Sequence, residues 1–208
     1  TGTTADSNQN ERTDDDEDEA VGLDADHTRL DRALNETLSK HPRLQTVADP
    51  TYLNALVVPP QVTAVMQPAA FDITAYAAQD DAQRYTDAGV ATTAWNSKAA
   101  LRQYRQALGD DNATTTPIAW QGQGHWTDKA LAAARAQGYT TVIATHDFES
   151  SDTGTVHTGT NVVSTEAGDV TVLVQQRELS NLAKGKATNA KAQAETSEAG
   201  RLARFVAQ

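Results

Sequence analysis

The chain has 208 residues, no cysteine, one methionine and a formal net charge of −11. Ten acids and one arginine fall within residues 1–26, a formal −9, while the rest of the chain sets 18 acids against 16 bases. The acidity therefore belongs to a tail. A nearly neutral body with no basic stripe excludes a nucleic-acid binder, and the lack of cysteine excludes disulfide staples and thiolate metal sites.

Residues 1–22 join Thr, Asn, Gln and Gly to six consecutive acids, Asp14 to Glu19, and carry little apolar surface to offset the entropy of ordering. They read as a disordered acidic linker, and residues 23–208 as one α/β domain. No 18-residue apolar run and no leader with an apolar centre is present, and the chain starts Thr1-Gly2-Thr3. These features suit a segment of a longer exported chain.

Helical periodicity begins at Leu23, and Leu30, Leu34 and Leu38 form one stripe that Pro42 stops. A strand is expected over 43–48. Asp49-Pro50 then supplies an N-cap with proline in the first helical position, opening a short helix with Tyr52, Leu53 and Leu56. Pro59-Pro60 breaks it, and a second strand is expected over 61–66. Asp72 caps a longer helix carrying Ile73, Tyr76, Ala77 and Tyr85, closed by Gly89. A third strand is expected over 90–95, followed by a helix from Ser97 to Leu108 that Gly109 ends. A fourth strand over 115–120 and a loop over 121–124 precede a helix capped by Thr127 and ended by Gly138. A fifth strand over 139–145 leads into a polar loop. Residues 161–165 and 170–175 flank Gly168 and read as a hairpin. A helix over 177–183 and a last helix over 190–208, burying Leu202, Phe205 and Val206, complete the pattern.

Four repeats of strand and helix with short connections require crossovers, and hence a mainly parallel sheet. Five parallel strands fit either a doubly wound sheet or an incomplete, distorted (β/α) barrel. In both, ligand sites gather at the carboxyl ends of the strands. Distinctive residues fall there: Asp49, Gln67, Trp95-Asn96, Trp120-Gln121 with His125 and Trp126, His146-Asp147, and Gln175-Gln176. Trp95, Trp120, Gln121, His125, Trp126 and His146 are thus the candidate ligand-binding residues, since aromatic plates beside amides and imidazoles suit the apolar faces and hydroxyls of sugars. Asp49 and Asp147 are the one strand-end carboxylate pair available for glycosidase-type acid/base work. Against these roles stand simpler ones: Asp49 as a helix cap and the tryptophans as core. His125 with His146-Asp147 matches no metal-site spacing. Gly122-x-Gly124 lacks a third glycine for a phosphate loop, and no Gly-x-Ser-x-Gly elbow is present. Neither a metal nor a cofactor is expected.

The stretch Thr46-Val47-Ala48-Asp49-Pro50-Thr51-Tyr52-Leu53-Asn54-Ala55-Leu56 resembles the opening "strand, Asp-Pro, x, Leu-Leu-x-Ala-Leu" of a family of uncharacterised actinobacterial cell-envelope proteins. Pro117-Ile118-Ala119-Trp120-Gln121-Gly122 resembles its Ile-Ala-Trp-Pro-x-Gly segment, and Lys129 to Ile143 its following helix, glycine and strand. The resemblance covers residues 28–208. It implies a secreted, membrane-anchored protein, often encoded beside the lipid II flippase, with a central barrel similar to glycoside hydrolases and polysaccharide deacetylases. It brings no established activity. The chain departs from that pattern at Gln67 and Ala69-Ala70-Phe71, ends its last strand in Gln175-Gln176 where an acid is commoner, and lacks the deacetylase Asp-Asp and His-x-x-x-His pattern.

The expected function is therefore that of a non-catalytic, extracytoplasmic domain at the cell surface, contacting cell-wall glycan or envelope proteins through its strand-end rim. This segment would not span the membrane, while the full-length protein would be anchored to it. A glycan-active hydrolase or deacetylase and a purely structural surface module are the alternatives.

Overall fold

The structure, a computed structural model, describes residues 35–55, 62–79, 82–145, 148 and 159–207. The tail, Leu30, Leu34, Leu56, His146 and Asp147 lie outside these residues. The first helix, α1, is described over residues 35–40, with Leu38 buried.

Two sheets make the framework. In the first, β1 (Thr46–Ala48), β2 (Val62–Val65) and β3 (Thr116–Pro117) are parallel and lie in chain order. In the second the order is β4-β5-β7-β6, with β4 (Ala119–Trp120), β5 (Thr141–Ala144) and β7 (Gly168–Val174) parallel, and β6 (Thr160–Thr165) antiparallel to β7. The architecture is mixed α/β, as the alternation predicts. No closed barrel forms among the described residues.

The predicted fourth strand serves both sheets. Residues 116–117 pair with β2 and residues 119–120 with β5, so the chain changes neighbours at Ile118, whose N–H donates to Val65 O at 2.9 Å. Strand β2 does not follow, because the chain turns away at Pro68–Ala70, where Ala69 and Ala70 take positive φ. The buried Gln67 side chain takes over. Its Oε1 accepts from Trp120 N–H and its Nε2 donates to Trp120 O, both at 2.8 Å. Nε2 also donates to Phe71 O at 2.9 Å. A carboxamide presents one donor edge and one acceptor edge without charge, so it satisfies a strand's N–H and C=O together.

The predicted third strand over 90–95 is not a strand. Because β2 pairs directly with β3, the sheet has no slot for it. Instead Thr92–Trp95 forms a single helical turn, α4, that turns Trp95 into the core. The predicted helix from Asp72 to Gly89 is described as two short ones, α2 (Ile73–Ala78) and α3 (Gln83–Asp87). Helix α5 (Ser97–Leu108) is capped by the Asn96 side chain, one residue ahead of the predicted Ser97, and closes on Gly109 in the left-handed conformation. Thr127 caps α6 (Asp128–Ala136) as predicted.

Packing divides along the seam. Leu53, Val65, Ala100 and Tyr104 join α5 to the first sheet. Ile73 and Ala77 of α2, with Ala130, Leu131 and Ala134 of α6, pack on Ala119, Val142, Val170 and Val172 of the second. The alanines of α6 let that helix lie close to the strands. At its edge, Trp95 stacks on Phe71, with ring centroids 4.5 Å apart, and meets Tyr76 edge-on. Tyr139 is buried and its hydroxyl donates to Trp95 O at 2.6 Å. Burial, and secondarily the negative charge of Asp49, raises the Tyr139 pKa, so the phenol keeps this proton.

After α7 (Arg177–Ala183), a short 3₁₀ turn, Gln193–Thr196, buries Glu195 against the Thr188 N–H and hydroxyl. The last helix, α8, begins only at Glu198 and runs to Ala207. The prediction that Leu202, Phe205 and Val206 are buried is overturned: all three are exposed, because the turn ahead of α8 leaves that helix resting on α7 with none of its own residues in the core.

Replacing Gln67 with the near-isosteric leucine leaves Trp120 N–H, Trp120 O and Phe71 O, all partly buried, without this partner. Gln67→Leu is expected to cost about 3 kcal/mol, at ~1 kcal/mol for each unsatisfied group, read as a lower urea midpoint. An unchanged midpoint would show that the seam holds without the amide.

Candidate functional site

The second sheet has two unlike faces. One is covered by α2 and α6. On the other, Trp120, Ile143 and Leu173 lie side by side on neighbouring strands, since Trp120 pairs with Ile143 and Ile143 with Leu173. A cleft of about 330 Å³ opens over this row at the carboxyl ends of β4, β5 and β7. Thr145, Gln175 and Ser180 complete its wall. The volume lies at the small end of ligand pockets, which run ~300–1,000 Å³. The described lining residues are all neutral.

Trp120 is the cleft's aromatic plate. The residue is 41% exposed while its backbone is held on both sides, by Gln67 and by β5. Gln121 braces the next step: its Oε1 accepts from Thr145 N–H at 2.8 Å and its Nε2 donates to Gly124 O at 2.9 Å. Gln121 lines the cleft but spends its amide on the frame.

The remaining candidates are placed elsewhere. Trp95, 1% exposed, belongs to the aromatic cluster under α2 and is not at a strand end. Trp126 is also buried, with its Nε1 donating to Ile143 O at 3.0 Å. His125 is exposed in the loop ahead of α6. His146 and Asp147 lie outside the described residues, so only Asp49 of the proposed carboxylate pair has a described position. Among the described residues no cluster of three or more His, Asp or Glu could hold a metal. No helix among them is long and apolar enough to cross a membrane.

Asp49 acts as an internal ligand. Its Oδ1 accepts from Thr51 N–H at 2.9 Å and Ala69 N–H at 3.2 Å, and its Oδ2 from Ala70 N–H at 2.7 Å. Ala69 and Ala70 stand in the left-handed region, with φ of 54° and 47°. Successive N–H groups in that conformation form an anion-binding concavity, and here the protein's own carboxylate fills it. The cap read from Asp49-Pro50 is present, with a second duty that no local spacing reveals.

Asp72 ties the loop after β4 to the start of α2. It accepts from Ala75 N–H as the cap and from the Thr74 hydroxyl, and across the chain from Gln123 N–H at 2.8 Å. Gly122 passes so close that a Cβ there would overlap the carboxylate. Burial pushes the Asp72 pKa up, but hydrogen bonds from the Thr74 side chain and the Ala75, Gln123 and Thr74 amides outweigh it, and the net shift is downward.

A second concavity, a groove of about 940 Å³, lies where α1, α7 and α8 meet. Leu44, Leu182, Leu202 and Phe205 give it an apolar lining. Its walls are helices, one of which buries none of its residues. The strand-end cleft instead stands on the ladder-bonded strands β4, β5 and β7.

The model of a family of unknown function, DUF6049, matches residues 1–208. The chain belongs to that family. No curated protein and no solved structure matches it at the similarity required.

The lowered Asp72 pKa means that the unfolded state binds its proton first as pH falls. Its contribution to stability is therefore present above the ordinary carboxylate range and is lost as pH drops through the folded-state value. Asp72→Ala should cost about 2 kcal/mol at neutral pH and much less in acid, measured by urea unfolding across pH. A pH-independent penalty would contradict this origin. Ala70→Gly should raise stability by about 1 kcal/mol by relieving the left-handed strain, seen as a higher thermal midpoint.

Proposed function

We propose that the chain is a non-catalytic, extracytoplasmic domain of a larger, membrane-anchored cell-surface protein, contacting uncharged cell-wall glycan through its strand-end cleft. The observation that carries this reading is Trp120: an exposed indole on a doubly clamped backbone, beside a small neutral cleft. The apolar face of a sugar ring packs on such a plate, while the Gln175 amide and the hydroxyls of Thr145 and Ser180 supply neutral polar groups for its oxygens. The cleft's Ile143–Leu173 floor excludes water from one side of the ligand. Asp49, whose carboxylate is spent on three backbone N–H groups, supports a binding role over acid/base chemistry.

The fold reading that goes with this function is an incomplete, distorted (β/α) barrel of the glycoside hydrolase and deacetylase kind. Supporting it, the parallel strands follow one another in chain order across the seam, without the order reversal of a doubly wound sheet. Helices cover one face while the other carries the Trp120–Ile143–Leu173 row, as the outside and inside of an opened barrel would. The sequence resemblance of residues 46–56 and 117–122 supports the envelope location. A second reading, contact with an envelope protein, is favoured by the apolar groove beside α8, where Leu202 and Phe205 stand exposed.

Titration of the full chain with uncharged cell-wall oligosaccharides, followed by tryptophan fluorescence and amide NMR shifts, tests the proposal. Shifts confined to residues around Trp120, Thr145 and Gln175 are expected. Trp120→Ala should weaken binding at least about tenfold, the equivalent of ~1.4 kcal/mol. No response of the wild-type chain at millimolar sugar sinks the glycan reading.

A further inference from the structure

Strand β6 is the outer strand of the second sheet, and its edge has an uncommon regularity. Thr165 pairs with Gly168 across the two-residue turn Glu166–Ala167, and Val174 N–H donates to Gly159 O at 3.4 Å. These two ends fix the phase of the ladder. Asn161, Val163 and Thr165 exchange hydrogen bonds with β7, while the N–H and C=O groups of Thr160, Val162 and Ser164 point away from it. Among the described residues, these outward backbone groups have no hydrogen-bond partner. The same three side chains are exposed, Val162 to 67%.

Free sheet edges are usually guarded by lysine, proline, a bulge or an inward charge. The strand Thr160-Asn161-Val162-Val163-Ser164-Thr165 has none: it is uncharged, lacks proline and runs in unbroken register with β7. We propose that β6 pairs antiparallel with β6 of a second copy of this chain, about a two-fold axis at Val162. In that register Val162 faces Val162, and Thr160 and Ser164 face each other on either side. Every one of these residues has its backbone groups directed outward, so the three pairs form closely spaced hydrogen-bonded pairs. On the exposed face a valine pair flanked by Thr–Ser pairs adds cross-strand contacts. An axis at Asn161 or Val163 instead opposes groups already bonded to β7. The charges agree with the choice: Glu166 lies four residues from the axis, so the two copies' Glu166 backbones stand about 27 Å apart at ~3.4 Å per residue. That exceeds the screening length of about 8 Å at physiological salt.

Sedimentation equilibrium and amide hydrogen exchange on the full chain at physiological salt test this pairing. A concentration-dependent dimer is expected, in which protection of the Thr160, Val162 and Ser164 amides rises with dimer population. The Asn161, Val163 and Thr165 amides stay protected throughout. Val162→Lys should be monomeric with unchanged circular dichroism and thermal midpoint. Val162→Pro should behave alike, because the N–H it removes is not part of the β6–β7 ladder. A chain that stays monomeric to millimolar concentration overturns the proposal. So does a dimer in which those three amides exchange freely, and so does a Val162→Lys dimer as tight as wild type. Should either variant misfold, the exchange pattern of the wild-type dimer decides alone.

Discussion

Everything at the strand-end face depends on one buried carboxamide. Strand β2 gives way to the turn at Pro68–Ala70 while its neighbour still has Trp120 to satisfy. Gln67 resolves this by lending its side chain as one more rung. The consequence reaches well beyond two hydrogen bonds. The rung lets a single short segment, residues 116–120, close one sheet and open the next. It fixes the backbone of Trp120 and leaves the indole free to face outward. It also leaves the two cores, one under α5 and one under α6 and α2, to pack separately on either side of the seam.

The loops around the site repeat this logic with carboxylates. Asp49 gathers the turn at 69–70 and Asp72 gathers the loop at 122–124, each by accepting backbone N–H groups distant in sequence. Charged oxygens make such bonds stronger than neutral ones. They hold loops that contribute little apolar surface of their own. Both acids thus serve as internal ligands of the backbone.

Much of this was legible in the sequence, for physical reasons that can be named. The α/β alternation, the caps at Asp72 and Thr127, the stop at Gly109 and the hairpin around Gly168 are local, written within a few residues of where they act. Trp120 and Gln121 at a strand end follow from the same local pattern. What sequence could not show was pairing. Residues 90–95 have strand-like composition, but strand formation needs a neighbour, and β3 already holds that place. Trp95 went inward as a result, and with it one of the expected rim aromatics. The exposure of Leu202 and Phe205 was equally hidden, because an apolar helix stripe announces that something will cover it and not that the rest of the described chain does so. The second duties of Gln67 and Asp49 depend on partners 53 and 20 or 21 residues away, which no spacing rule links.

The order in which the strands adjoin has a kinetic meaning. In a doubly wound sheet some middle strand must wait for chain on both of its sides. Here each parallel strand lies beside the one made just before it, so the sheet can grow by accretion as the chain lengthens. Loop-closure entropy rises only slowly with loop length, so even the long step from β2 to β3 adds little cost. Growth of that kind lets the sheet gather from its leading end while the hairpin of β6 and β7 is still to come.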